Sequence, residues 1–272
     1  SIKANWQDKH VNLVEMANEL NLGIDSFCFV DDSDFEIEMM RNFLPQVSCF
    51  QVPKKVDNYF NDLLSFIKSN FVLNIDHGAE QRIATYKGNI SREALKATHL
   101  SKEDFIKELN IKVKHDINDL SNLSRIEELY LKTNQFNLVT ERLTKAEILS
   151  CLSGNDDIHT FSISDKFGNF GITALVHCSF RDESVVVRNF IMSCRVMGRN
   201  IELDILSIIE NHYYGRYKFI ESTYVKSAKN STVESLYDGC NYEKIYSDKD
   251  MRKYIKNLIN KAEIKYLTYE SY

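Results

Sequence analysis

The chain has 272 residues, with 34 Lys and Arg against 39 Asp and Glu and a formal net charge of −5. That balance excludes a general electrostatic footprint for nucleic acid or an anionic membrane, and no apolar run approaches the ~18 residues of a spanning helix. Hydrophobic residues at 43% and charged residues at 27% are ordinary for a globular chain, and the length suits one large domain or two.

Glycine (9) and proline (2) are scarce, which argues against long structureless linkers. The six cysteines (28, 49, 151, 178, 194 and 240) form no CxxC pair, so a structural zinc site is not expected. Most sit in apolar stretches such as Phe27-Cys28-Phe29-Val30, as small core residues do in a reducing cytoplasm. The N-terminus carries no secretory signal pattern.

The chain opens without Met on a polar segment. Val11, Val14, Ala17 and Leu20 then recur at helical spacing and predict a helix over His10 to Leu20. Ser26 to Val30 reads as a buried strand ending in Asp31-Asp32-Ser33. A helix is expected from Asp34 to Phe43, a second strand from Val47 to Val52, and a third helix from Asp57 to Ser69. This alternation is the grammar of a parallel sheet covered by helices. Two strands cannot close such a core, so the segment reads as the rear part of an α/β domain whose front part lies outside these residues. Asn70 to Leu109 reads as a polar helical connector.

A second domain is expected from Ile111, with a strand over Ile111 to Lys114 and helices over Asn118 to Lys132 and Thr144 to Leu152. Thr144 followed by Glu147 has the form of a capping box. Three strands follow, His159–Ser164, Gly171–Phe180 and Ser184–Met192, then a helix over Ile201 to Tyr214 and a strand over Phe219 to Val225. A short helix from Ser231 to Tyr237, a strand near Tyr242 to Tyr246 and a lysine-rich helix over Lys249 to Lys265 complete it.

Two places carry chemistry. Asp31 and Asp32 close a strand, where ligands of open α/β sheets bind, and adjacent carboxylates suit a hard cation such as Mg²⁺. Lys9 can reach the same strand end. The plainer alternative is that Asp32 or Ser33 caps the next helix. The second place is Cys194-Arg195-Val196-Met197-Gly198-Arg199-Asn200, a turn from strand to helix. Backbone N–H groups at a helix N-terminus suit an anion, and the dipole with Arg195 and Arg199 favours a Cys194 thiolate. The alternatives are an ordinary helix start and an inert cysteine. His177 and Cys178 are neighbours on a strand, so they do not share a metal with Cys194. Tyr213, Tyr214 and Tyr217 read as core and surface aromatics rather than a stacking platform.

Several segments, in order over about residues 2 to 245, together resemble the FkbH-like proteins, a glyceryl transferase/phosphatase family of the haloacid dehalogenase superfamily. They are Ile2 to Lys9, Leu20 to Phe27, Phe29 to Asp32, Lys132 to Asn137, Met192 to Arg199, and Lys229-Asn230. The resemblance implies an α/β chain with a partial haloacid-dehalogenase-type Rossmann domain over 1–70, a helical connector over 71–110 and a GNAT-like acyltransferase α+β domain over 111–272. It implies an enzyme similar to those that dephosphorylate 1,3-bisphosphoglycerate, a small phosphorylated substrate, and load the glyceryl group on an acyl carrier protein through an enzyme cysteine. By position, Asp31 and Asp32 resemble the Mg²⁺ acids, Lys9 the lysine that steadies the phosphoryl group, and Cys194 the acyl carrier.

The family's DxDxT nucleophile motif occurs nowhere in the 272 residues, so this chain alone is expected to lack phosphatase activity. Ser33-Asp34 stands where Asn-Pro often follows the acidic pair. One alternative keeps the second domain as an N-acyltransferase using acyl-CoA, with Arg195, Gly198, Arg199 and Asn200 on the pyrophosphate. Asn200 departs from that pattern, which wants a small residue. Another is a non-catalytic docking module. An acidic carrier protein would need a basic patch, which Arg195, Arg199, Arg216 and Lys218 could supply. His115, His159, His177 and His212 are all candidates for the base that activates Cys194.

Overall fold

The computed structural model describes residues 1–20, 22–54, 59–70, 88, 91–92, 94–98 and 101–270. The chain divides into two compact units, residues 1–98 and 99–272. Of the connector expected over 71–110, most of residues 71–100 lies outside the described residues. Its end does not: Ser101 Oγ caps α4 (Lys102–Glu108), whose Phe105 and Ile106 are buried in the larger unit.

The smaller unit contains α1 (Lys9–Leu20), β1 (Cys28–Asp31), α2 (Asp34–Phe43), β2 (Ser48–Gln51) and α3 (Tyr59–Asn70). β1 and β2 pair in parallel, with Cys28 opposite Ser48 and Asp31 opposite Gln51. Leu13, Met40 and Val47 form the centre of its core, with Phe27 and Phe29 against them. The expectation of a fully buried β1 is corrected. Its residues are only partly covered and Val30 is 39% exposed, because a sheet of two strands, here joined by few helices, leaves backbone edges and part of each face uncovered. Nothing else in the described residues establishes a Rossmann-type domain.

The larger unit is a mixed sheet of eight strands in the order β10-β3-β4-β5-β6-β7-β9-β8. After α4 come β3 (Lys112–Ile117), α5 (Leu123–Lys132) and α6 (Lys145–Ser153). The meander β4 (Asp157–Asp165), β5 (Gly168–Arg181) and β6 (Ser184–Met192) follows, then α7 (Ile201–Tyr213) and β7 (Phe219–Val225). β8 (Glu243–Ser247), β9 (Met251–Asn257) and β10 (Thr268–Glu270) end the chain. Most neighbours are antiparallel. β6 and β7 are parallel, as the crossover through α7 requires.

The apolar stripes of α5 and α6 cover one face: Ile126, Leu129, Tyr130 and Ile148 pack on Ile158, Leu175 and Ile191. α6 begins with the expected capping box between Thr144 and Glu147. α7 covers the other face, with Tyr213 edge-on to His159 and Phe180. The expected helix over Lys249 to Lys265 is a correction, since β9 occupies its first half. Arg252, Tyr254 and Lys256 share one face of β9. Arg252 lies over the Tyr224 ring, Tyr254 is buried, and Lys256 bonds buried Glu210 at 2.8 Å. The strand site beside β7 uses these long stems, which overrides their helical propensity.

Buried Asp204, in the first turn of α7, accepts backbone N–H bonds from Lys265, Tyr266 and Leu267 at 3.0, 2.6 and 2.9 Å. It clamps the tail so that β10 pairs with β3. Asp204→Ala strands those donors and is expected to cost about 2–4 kcal/mol. Denaturant unfolding, with loss of amide exchange protection over 266–270, checks this.

Candidate functional site

The turn between β6 and α7 is the best-built candidate. Ser193 N–H bonds Thr173 O at 2.7 Å, and Cys194–Val196 form a single 3₁₀ turn. Cys194 is exposed, unlike the buried Cys178 and the half-buried remainder. Gly198 has φ +79° and Asn200 φ +57°, so the chain reverses through two left-handed residues before α7 starts. Glycine takes that conformation without strain, and asparagine tolerates it better than most residues. Asn200 Oδ1 accepts from Lys102 Nζ at 2.9 Å.

The cations divide between the ends of α7. Arg195 Nε bonds Ser193 Oγ at 3.3 Å, and the Arg199 guanidinium lies 4.9 Å from the Phe170 ring centre, both at the helix start. Arg216 lies over Tyr213 and bonds His212 O, while Lys218 pairs with Glu183, both at the helix end. Thirteen residues of helix put roughly 20 Å between the ends, so the single basic patch expected from sequence is not formed. The first turn of α7 also holds Glu202, whose carboxyl burial pushes up in pKa.

The histidines expected near Cys194 are elsewhere. His212 is at the far end of α7, about 16 Å along the axis from Ile201, and its ring lies against His159, which stacks on His115. His177 bonds Asp156 Oδ2 at 2.9 Å and the Tyr130 hydroxyl at 2.7 Å, under α5. Asp156 also takes Arg188 at 3.0 Å, which completes a half-buried charge group.

Beyond Val187 and Ser222 the ladder between β6 and β7 stops. Parallel strands flanking a crossover helix open a crevice at their carboxyl ends, the usual ligand position in such sheets. Here the segment Phe136–Thr140 fills it. Leu138 N–H bonds Phe190 O at 3.2 Å, Met192 N–H bonds Phe136 O at 2.9 Å, and Val225 N–H bonds Leu138 O at 2.8 Å. Three fully buried asparagines lock the insert. Asn189 Nδ2 donates to Asn137 Oδ1 at 3.0 Å, and Asn230 Nδ2 donates to Asn137 O and Val225 O, both at 2.9 Å. Asn137 Oδ1 also accepts Thr140 N–H at 2.7 Å, which holds β-branched Thr140 at φ +60°. A non-glycine residue held there is strained. The use of this segment as an inserted edge was not visible in the sequence, because the pairing joins residues 52 and 93 positions apart.

In the smaller unit, Lys9 and Asp31 do meet: Lys9 Nζ lies 2.6 Å from Asp31 Oδ2. Lys9 and the Ser33 N–H hold the Asp31 carboxyl below its ordinary range against the opposing effect of burial. Ser33 caps α2 through Glu36 N–H, as the capping alternative anticipated. Both Asp31 oxygens are thus occupied and Asp32 is exposed. Asp31 and Asp32 both present carboxylate oxygens at this strand end, of the kind a hard cation takes, and no step below is routed through a metal ion there.

No family model matches the chain, and no curated protein matches it. Among solved structures, a point mutant of the spermidine N-acetyltransferase of Vibrio cholerae aligns at 11% identity and TM-score 0.40, covering 55% of this chain and 94% of its own. The ribosomal-protein-S18-alanine N-acetyltransferase of Escherichia coli aligns at 10% and 0.41, over 55% and 97%. The protein smu.2055 of Streptococcus mutans aligns at 13% and 0.42, over 53% and 98%. Similarity at that level assigns this chain to no family. In the described residues no helix is long and apolar enough to cross a membrane.

Proposed function

We propose that the larger unit is an acyltransferase in which Cys194 carries the acyl group. The observation that supports this most is the exposed Cys194 at the head of a strand–turn–helix, with Arg195, Arg199 and Lys102 placed around the same turn. In the step proposed, the Cys194 thiolate attacks the carbonyl of a thioester donor. The C–S bond to the donor breaks, the donor leaves as thiolate and takes up a proton, and the acyl group stays on Cys194. Cations and helix N–H groups at the turn would hold an anionic part of the donor.

The resemblance fills in the finer terms: a glyceryl group, an acyl carrier protein as donor or acceptor, and a phosphorylated substrate at the strand end of the smaller unit where Lys9 and Asp31 are paired. Direct N-acyl transfer from acyl-CoA is the second reading, and the cationic turn favours it equally.

Intact-protein mass after mixing the chain with a glyceryl carrier-protein thioester tests the proposal. The expected result is a gain of one glyceryl group that disappears in Cys194→Ala, with transfer reduced roughly 10³-fold or more. An unmodified mass in a folded chain overturns the covalent reading. Transfer that survives Cys194→Ala with acyl-CoA as donor selects direct transfer instead.

A further inference from the structure

Far from Cys194, on the face of the sheet under α7, three of the seven histidines meet one carboxylate. Asp157 and His159 are two apart on β4 and therefore share a face. α7 brings the His212 ring to 5.1 Å from that of His159. One ligand atom from each of Asp157, His159 and His212 lies within 4.8 Å of the other two.

The surroundings orient these atoms. His159 Nδ1 is 2.8 Å from His115 Nε2, and His115 Nδ1 is 3.0 Å from the Tyr269 hydroxyl. His159 Nε2 lies 2.7 Å from the Tyr213 hydroxyl, which donates to Asp157 Oδ2 at 2.8 Å. The half-buried His212 ring, by contrast, has ring contacts with His115, His159 and Tyr213 but no hydrogen-bond partner among the described residues.

We propose that Asp157, His159 and His212 form a binding site for a divalent transition-metal ion of the zinc class, with His115 orienting His159 from behind. Two imidazoles and a carboxylate are donors that zinc accepts, and three protein ligands leave one position open. Coordination at about 2.0–2.2 Å brings the ligand atoms closer together. The ion takes over the two partners of the Tyr213 hydroxyl, Asp157 and His159 Nε2. His159 then carries its proton on Nδ1 and donates to His115, the arrangement that fixes a ligand's tautomer. The other group of this type, Cys151, Asp156 and His177, differs: the Arg188 guanidinium already bonds its carboxylate at 3.0 Å and contacts the Cys151 sulfur at 3.5 Å.

Titrating the whole chain with Co²⁺, followed by visible absorption, tests the site, with Zn²⁺ competition to confirm the class. One equivalent is expected to bind saturably and to be displaced by Zn²⁺. His212→Gln, which breaks no side-chain hydrogen bond among the described residues, is expected to weaken binding at least 100-fold, and Asp157→Asn likewise. His115→Phe should weaken it 10- to 100-fold as an orienting residue. Far-UV circular dichroism of the metal-free variants separates site loss from unfolding. Absence of a saturable equivalent overturns the proposal. So does binding that is unchanged in folded His212→Gln, or binding that is lost in Cys151→Ser and kept in His212→Gln.

Discussion

Asn137→Leu is expected to lower the unfolding free energy by about 3–4 kcal/mol and the melting temperature by roughly 10 °C. The side chain is fully buried and of similar size to leucine, so little of the loss is packing. Its carbonyl oxygen takes the Asn189 amide and Thr140 N–H at 3.0 and 2.7 Å, and its amide donates to Thr133 O at 3.3 Å. Leucine satisfies none of these, and each buried group left without a partner costs about 1–3 kcal/mol. Thr140 also loses the bond that holds its left-handed backbone, so the insert between β6 and β7 should loosen first. Denaturant unfolding gives the free energy. Amide exchange at Leu138, Val139 and Met192 should speed up before that of the β4–β5 ladder. A variant as stable as the parent would show that the insert is not a structural part of the sheet.

Acid should unfold the larger unit through its buried histidines. Burial pushes the His115 imidazole from about 6.5 down to about 4, and holds His159 well below its ordinary value. Both are neutral in the fold, whereas the unfolded chain takes up their protons below about 6.5. Their contribution is therefore complete above pH 6.5 and is lost as pH falls toward 4. His115 alone accounts for about 3 kcal/mol over that window. Asp204 and Glu202, whose carboxyls burial pushes up, work in the opposite sense as pH falls and offset a part. Urea midpoints measured from pH 7.5 to 4 should drop steeply. His115→Phe should flatten the dependence by close to one proton while keeping the ring against Phe161. A dependence that His115→Phe leaves unchanged would assign the acid sensitivity elsewhere.

Local pattern determined much of this protein. The helix over His10 to Leu20, the Thr144–Glu147 box and the strands Ser184–Met192 and Phe219–Val225 were legible because each depends on neighbours within a few residues, although the buried side of that helix is Asn12, Leu13 and Ala17 while Val14 of the expected stripe is exposed. The turn at Cys194, its glycine and its arginines were legible for the same reason, as was the approach of Lys9 to the end of β1. Tertiary structure decided the remainder. The lysine-rich tail became a strand because β7 offered an open edge and Glu210 a buried partner. The arginines of the expected patch separated because a helix stands between them. Four histidines of equal standing in sequence divided into a cluster with Asp157 and a pair bond with Asp156. The asparagines at 137, 189 and 230 look like loop and strand polar residues until the fold removes water from them. Burial and long-range pairing set the role of such groups, and neither is written in the spacing of a single segment.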